Sequence, residues 1–195
     1  MQRDILAFFI VFLFSSLQAH ATKDLQGHLR TGIVQGEFSG ASSGEFSVLS
    51  SLELEGEYFL SGRSSILAKA TISLDQESGQ FKYVYMGLGQ RFYLWSRGRP
   101  VETYSEGVFA SHQPKLRLFG EYGIGLAQIQ IQSVTDVLSV QSTVVELGIG
   151  GGAIYQISKN FGISFNLMGS KGFSISSVSV DSTVIRGLIG VTGYL

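Results

Sequence analysis

The chain has 195 residues, a formal net charge of −1, 25 glycines, two prolines and no cysteine. Lack of cysteine excludes a disulfide framework, a thiolate metal site and a lipid-modified cysteine. The near-neutral charge leaves no electrostatic footprint for a nucleic-acid partner, and the length suits one domain.

Residues 5–17 read ILAFFIVFLFSSL, after Arg3 and before Ala19-His20-Ala21. A short apolar run followed by a small-x-small pattern marks a secretory signal peptide, with cleavage expected after Ala21. The run is shorter than the about 20 residues that a spanning helix needs. Residues 1–21 are therefore expected to be a leader and residues 22–195 the mature domain. Beyond the leader no apolar run is long enough for a membrane helix. Insertion into a bilayer would have to be by strands closed into a barrel, since an open sheet leaves backbone groups unpaired in lipid.

Segments of the length and alternation of spanning strands, about 9–11 residues with period two, follow one another along the mature chain. Residues 27–38 put Leu29, Thr31 and Ile33 on one face and His28, Arg30, Gly32 and Val34 on the other. Residues 46–59 set Phe46, Val48, Leu52, Leu54 and Tyr58 against Ser47, Ser51, Glu53, Glu55 and Glu57. Residues 65–74 set Ile66, Ala68, Ala70, Ile72 and Leu74 against Lys69, Thr71 and Ser73. Residues 81–94 set Val84, Met86, Leu88, Phe92 and Leu94 against Tyr83, Tyr85, Gly87, Gly89, Arg91 and Tyr93.

Residues 115–129 set Leu116, Leu118, Tyr122, Ile124 and Leu126 against Arg117, Phe119, Glu121, Gly123 and Gly125. Residues 142–157 set Val145, Leu147, Ile149, Ala153 and Tyr155 against Glu146, Gly148, Gly150 and Gly152. Residues 161–170 set Phe161, Ile163, Phe165 and Leu167 against Gly162, Ser164, Asn166 and Met168. The last segment, residues 182–195, sets Ile185, Ile189, Val191 and Leu195 against Arg186, Gly190, Thr192 and Tyr194. The count is eight, the even number expected of a single-chain barrel and the smallest common size. Parity places the connections 39–45, 75–80, 133–141 and 171–181 on the far surface. It demands a short turn for residues 95–114, which instead form the longest connection. That stretch is expected to be a structured excursion on the near side, and it is also where an additional strand would hide.

Two stretches, Tyr85-Met86-Gly87-Leu88-Gly89-Gln90-Arg91-Phe92-Tyr93 and Phe119-Gly120-Glu121-Tyr122-Gly123-Ile124-Gly125-Leu126-Ala127, resemble strands of the small eight-stranded outer-membrane barrels of the OmpA-membrane-domain, OmpX and opacity type. The resemblance covers most of the mature chain and its motifs are architectural. It implies an all-β, eight-stranded antiparallel up-and-down transmembrane barrel in a Gram-negative-type outer membrane. It also implies a monomer in contact with outer-membrane lipid. Leu195 stands where the usual terminal residue of such barrels is Phe.

The inward phase collects Glu53, Glu55, Glu57, Glu121 and Glu146 with Arg30, Lys69, Arg91, Arg117 and Arg186. On a lipid face Arg or Lys would cost about 2–4 kcal/mol at the midplane, whereas inside a narrow lumen the charges can pair. A gated ion path or proton-responsive network is one reading. A salt-bridged plug is the other, favoured by the charge balance and the small strand number.

Other signals are weaker. Gly87-x-Gly89 and Gly148-x-Gly150-Gly151-Gly152 lack the strand-to-helix context of a phosphate loop, and glycine there makes room for large lumenal side chains. His28 and His112 are not spaced as a metal pair. Ser111-His112 lies in the long excursion with no evident acid beside it. Alternation alone does not tell inside from outside, so a secreted lipocalin-like barrel with an apolar interior remains the alternative fold. Aromatics near strand ends (Phe46, Tyr58, Phe92, Tyr155 and Phe161) suit a girdle at two interfaces. The expectation is a barrel with a structural or surface-interaction role, no enzymatic activity and no cofactor, with loops that offer sites for a surface ligand. A narrow channel or carrier comes second and a lipid A-modifying enzyme third.

Overall fold

Successive side chains of a strand point to opposite faces, so the alternating segments can seal a sheet that is apolar on one side only. In the computed structural model, which describes residues 24–40, 44–74, 81–99, 101–105, 108–112, 114–132, 139–175 and 180–194, they do so as a closed barrel. The strands are β1 (Leu25–Gly40), β2 (Gly44–Phe59), β3 (Ser64–Leu74), β4 (Phe81–Tyr93), β5 (Val101–Ser105), β6 (Val108–His112), β7 (Leu116–Gln132), β8 (Ser139–Gln156), β9 (Phe161–Ser174) and β10 (Val180–Tyr194). The wall runs β1-β10-β9-β8-β7-β4-β3-β2, antiparallel throughout, and β2 returns to β1. β5 and β6 pair only with each other, outside the wall. The excursion at 95–114 therefore holds a small hairpin, and the wall keeps eight strands.

The pairing fixes the tilt. Traced from Val34 through Arg186, Met168, Gly150, Glu121, Arg91, Ser65 and Phe59, the ladder returns to β1 at Asp24, ten residues before its start. A closed sheet with such a stagger must incline its strands strongly to the barrel axis. We call the end where β1 starts and β10 stops proximal, and the other end distal. Two of the three proximal connections are tight. Leu60 and Ser61 both donate N–H bonds to the Ser64 carbonyl, and Ile157 and Ser158 do the same to Phe161.

The outer face is the apolar one. Leu29, Ile33, Leu52, Ile66, Leu88, Ile124, Leu147, Phe165 and Ile189 are exposed on the wall, Ile149 to 75%, while the charged partners in the other phase are buried. This polarity overturns the lipocalin-like alternative, in which the apolar face would turn inward. Of the expected girdle aromatics, Tyr58, Phe92, Tyr155 and Phe161 gather at the proximal end, near the exposed Trp95, while Phe46 lies in the distal half of β2 and an exposed Phe173 near the distal end of β9. The side chain of Phe46 lies outside the described residues, as does residue 195.

The distal strand ends also differ from expectation. β1 and β2 extend to Gly40 and from Gly44, β7 and β8 to Gln132 and from Ser139, and β9 and β10 to Ser174 and from Val180. The expected loops 39–45, 133–141 and 171–181 are therefore partly ladder. Backbone pairing needs no apolar face, so strands continue past the point where alternation fades into Gln, Ser, Thr and Asp. Residues 41–43, 133–138 and 176–179, the loop 75–80 and the leader at 1–21 lie outside the described residues.

Candidate functional site

Strand register builds the lumen. Arg30 on β1 stands opposite Glu53 on β2, Glu55 on β2 opposite Lys69 on β3, and Arg91 on β4 opposite Glu121 on β7. Three neighbouring pairs of strands thus each present a base beside an acid, and the narrow interior brings the three sets together. Arg91 is the hub. Its Nη1 donates to Glu57 at 2.7 Å, its Nη2 to Glu121 at 2.6 Å with Glu55 at 2.8 Å, and its Nε to Glu121 at 3.1 Å. Its guanidinium lies over the Phe119 ring, 3.9 Å from the centroid. Arg30 donates to Glu53 at 2.7 Å, to Glu55 at 2.9 Å and to Ser164 at 3.1 Å. Lys69 pairs with Glu55 at 3.1 Å and with Glu121.

The remaining lone pairs are also used. Glu57 accepts from Ser65 at 2.5 Å and Tyr93 at 2.7 Å, Glu53 from Thr71 at 3.1 Å, and Glu121 from Asn166 at 2.9 Å. Every member is buried. Charge removed from water costs several kcal/mol per ion, and such dense pairing is the arrangement that offsets it. Room comes from small residues. Gly87 and Gly125 face each other across β4 and β7, and a Cβ on either would strike the Tyr85 ring or hydroxyl.

Both ends of this charged layer are closed by apolar packing. On the proximal side Phe59, Tyr93, Phe119 and Ile154 form one buried cluster, with Phe59–Tyr93 and Tyr93–Phe119 ring centroids 5.9 and 6.1 Å apart. On the distal side Val34, Ala127, Ile129, Val144, Val180 and Val184 pack with Tyr83 and Tyr85.

Three of the ten expected lumen charges, Arg186, Glu146 and Arg117, stand apart from the hub. Arg186 meets Glu146 only at 3.7 Å and lies over the Tyr85 ring at 4.2 Å. Glu146 accepts from Tyr83 and Ser170, each at 2.9 Å. Arg117 departs from the expected balance of five acids against five bases: no acid pairs with it among the described residues. It lies below the aromatic cluster at the proximal mouth and donates to the Gly98 carbonyl, to Tyr194 at 2.9 Å, to Gln156 at 2.8 Å and to Gln26 at 3.3 Å. The reason is depth. Arg117 sits one inward position nearer the mouth than Phe119, which separates it from Glu121 along β7.

Gly98 is supplied by the excursion. The chain leaving β4 turns back across the proximal mouth, where the Gly98 N–H donates to the Gly62 carbonyl at 2.8 Å and its carbonyl accepts from Arg117 and from Tyr194 at 3.1 Å. Gly98 is buried against Tyr93 and Phe59, and a Cβ there would overlap both rings. A half-buried Arg99–Asp24 pair ties the same segment to the start of β1.

His28 was not among the expected lumenal charges, although its inward phase was visible. Its Nε2 is 2.9 Å from Glu57 and 3.4 Å from Glu55. His28, Glu55 and Glu57 bring three potential metal-ligating atoms within 4.8 Å of one another. Their carboxylates already receive Arg30, Lys69 and Arg91, so a cation would have to displace the bases that neutralise them. Ser111 and His112 lie on β6 of the hairpin, and their side chains are outside the described residues.

Fold and interior together define a small closed β-barrel filled by a salt-bridge network. No family model matches the chain, and no curated protein is similar in sequence. Solved structures are similar in fold. The crystal structure of Neisserial surface protein A matches 88% of this chain and 97% of its own at a TM-score of 0.54 and 11% identity. The outer membrane protease OmpT from Escherichia coli matches 88% of this chain and 96% of its own at a TM-score of 0.50 and 9% identity. The N-terminal β-barrel domain of Pseudomonas aeruginosa OprF matches 85% of this chain and 96% of its own at a TM-score of 0.49 and 11% identity.

Proposed function

We propose that the protein is a monomeric outer-membrane barrel with a structural or surface-interaction role, no enzymatic activity and a lumen closed to solutes. The observation that carries this reading is the pairing of an exposed apolar wall with a fully buried, densely bonded charge network. A wall of that kind belongs in lipid, and a buried, cross-linked interior supports a plug better than a conduit. The distal ends of the strands carry Ser, Gln and Thr with few charges. Binding through the distal loops would accordingly be modestly polar and weakly dependent on salt.

Cell fractionation and planar-bilayer recording test this reading together. The mature chain is expected to begin near Thr22, to sediment with outer membranes and to give no stable conductance after refolding. Recovery from the soluble periplasm would overturn the location, and a large steady conductance would overturn the plug and favour the channel reading.

Orientation has its own test. With a periplasmic proximal end, protease added to intact cells should cut within the distal connections, including 75–80 and 133–138, and spare 95–114. Cutting inside 95–114 on intact cells would reverse the orientation and place the hairpin at the surface.

A further inference from the structure

The proximal end of the barrel carries a collar of one sign. Arg63 lies in the turn between β2 and β3, Arg97 in the segment after β4, Lys115 just before β7 and Lys159 in the turn between β8 and β9. All four are exposed, and no acid pairs with any of them among the described residues. In the order of the wall they are spread from β9 through β8, β7, β4 and β3 to β2, so they surround most of the mouth. The one acid outside the lumen at this end, among the described side chains, is Asp24, which Arg99 already holds at 2.6 Å. Lys23, Glu102 and Glu106 join by sequence and make six bases against three acids, so the excess stays positive however the hairpin lies. The distal end has the opposite sign: Glu37 and Asp181 share a groove on the outer wall with Lys171.

The depth of the collar follows from its neighbours. Leu60 stands near Arg63, Trp95 near Arg97, Leu116 beside Lys115 and Ile157 near Lys159, and each of these apolar side chains is more than half exposed. Four separate segments thus end in the same order, an exposed apolar group and then a base toward the mouth. A strand end that stays apolar on its outer face lies against hydrocarbon or its boundary, and a base one to three residues away reaches headgroup level. Unpaired bases at that level meet phosphates, and an anionic leaflet attracts them where a neutral one does not. We propose that the proximal rim is a binding surface for anionic phospholipid headgroups, with Arg63, Arg97, Lys115 and Lys159 as the contacts. The proposal rests on the reading of the wall as lipid-embedded and adds which lipid gathers at one end of it.

Trp95 reports on this rim, since it is the only tryptophan of the chain and stands two residues from Arg97. The protein is refolded into vesicles of equal parts phosphatidylglycerol and phosphatidylcholine, and its folded state is checked by heat-shifted gel mobility. Both leaflets share one composition, so the direction of insertion has no influence. In matched samples bromine is carried near the headgroup end of the acyl chains of one lipid or the other, and quenching of Trp95 fluorescence gives their relative occupancy. At low salt phosphatidylglycerol is expected to be favoured about fivefold beside Trp95, the effect of one base near an anionic headgroup, and molar salt should bring the ratio close to one. Replacing the four bases together, Arg63→Gln, Arg97→Gln, Lys115→Gln and Lys159→Gln, should do the same at low salt while the gel shift remains. Equal quenching by the two lipids in the wild type at low salt would overturn the proposal and leave the lipid-embedded wall standing. A preference that survives molar salt or the quadruple variant would overturn it as well. Absence of quenching by either brominated lipid would overturn the wall reading too. The wild-type comparison and its salt dependence decide even if the quadruple variant does not fold.

Discussion

Replacing Arg91 by Met is expected to destabilise the barrel by about 3–5 kcal/mol, the range for breaking a buried ion pair from one side. The substitution keeps much of the apolar stem but removes the group that Glu55, Glu57 and Glu121 share. Three carboxylates would lose their common partner: Glu55 would keep Arg30 and Lys69, Glu121 would keep Lys69, and Glu57 would keep only the His28 ring. Urea titration of folding into lipid vesicles should show the midpoint fall steeply. Glu53→Gln should cost less, since that carboxylate takes one guanidinium contact and one hydroxyl. An unchanged midpoint for Arg91→Met would mean that water enters the layer and rehydrates the carboxylates.

Gly98→Val is expected to lower stability by about 1–3 kcal/mol through overpacking, with a further loss of similar size if Arg117 is left without its carbonyl. The Cβ would overlap the Tyr93 and Phe59 rings, and expelling the segment would break the bonds from Arg117 and Tyr194 to the Gly98 carbonyl. The wall itself should still form, because none of its ladder depends on Gly98. The expected signature is a barrel that keeps its heat-shifted mobility, unfolds at lower urea and becomes cleavable within 95–114 by protease given access to the proximal side. Unchanged cleavage and an unchanged midpoint would show that the segment packs loosely over the mouth.

The wall and the lumenal charges were legible because both obey the same period. Glu53, Glu55 and Glu57 fall every second residue between apolar neighbours, and a closed sheet leaves such a set only the inside. Tyr83, Tyr85 and Tyr93 were legible in phase for the same reason, although the pairing of Tyr83 with Glu146 and of Tyr93 with Glu57 depends on register, which alternation does not state. The full set of partners of Arg117 was not legible. One of them, beside Tyr194, Gln156 and Gln26, is a backbone carbonyl at Gly98, in an irregular segment, and a carbonyl leaves no mark in the identity of its residue. The distal ends of β7, β8, β9 and β10 were cut short for a different reason. The apolar belt stops where the surroundings become polar, while the hydrogen-bonded ladder continues.

The separation of Arg117 from the hub has an electrical consequence. Arg30, Lys69 and Arg91 face Glu53, Glu55, Glu57 and Glu121 within one layer, which leaves that layer one negative charge in excess. Arg117 carries the compensating positive charge on the other side of Phe59, Tyr93, Phe119 and Ile154. The interior thus contains a fixed dipole across one aromatic layer, directed along the barrel axis. A voltage acts on net charge moved through it, at about 2.3 kcal/mol per elementary charge per 100 mV across the whole membrane. With no net lumenal charge, and a separation spanning only a small part of the wall, a Donnan potential has almost no work to do on this interior. The plug should be insensitive to voltage in either polarity.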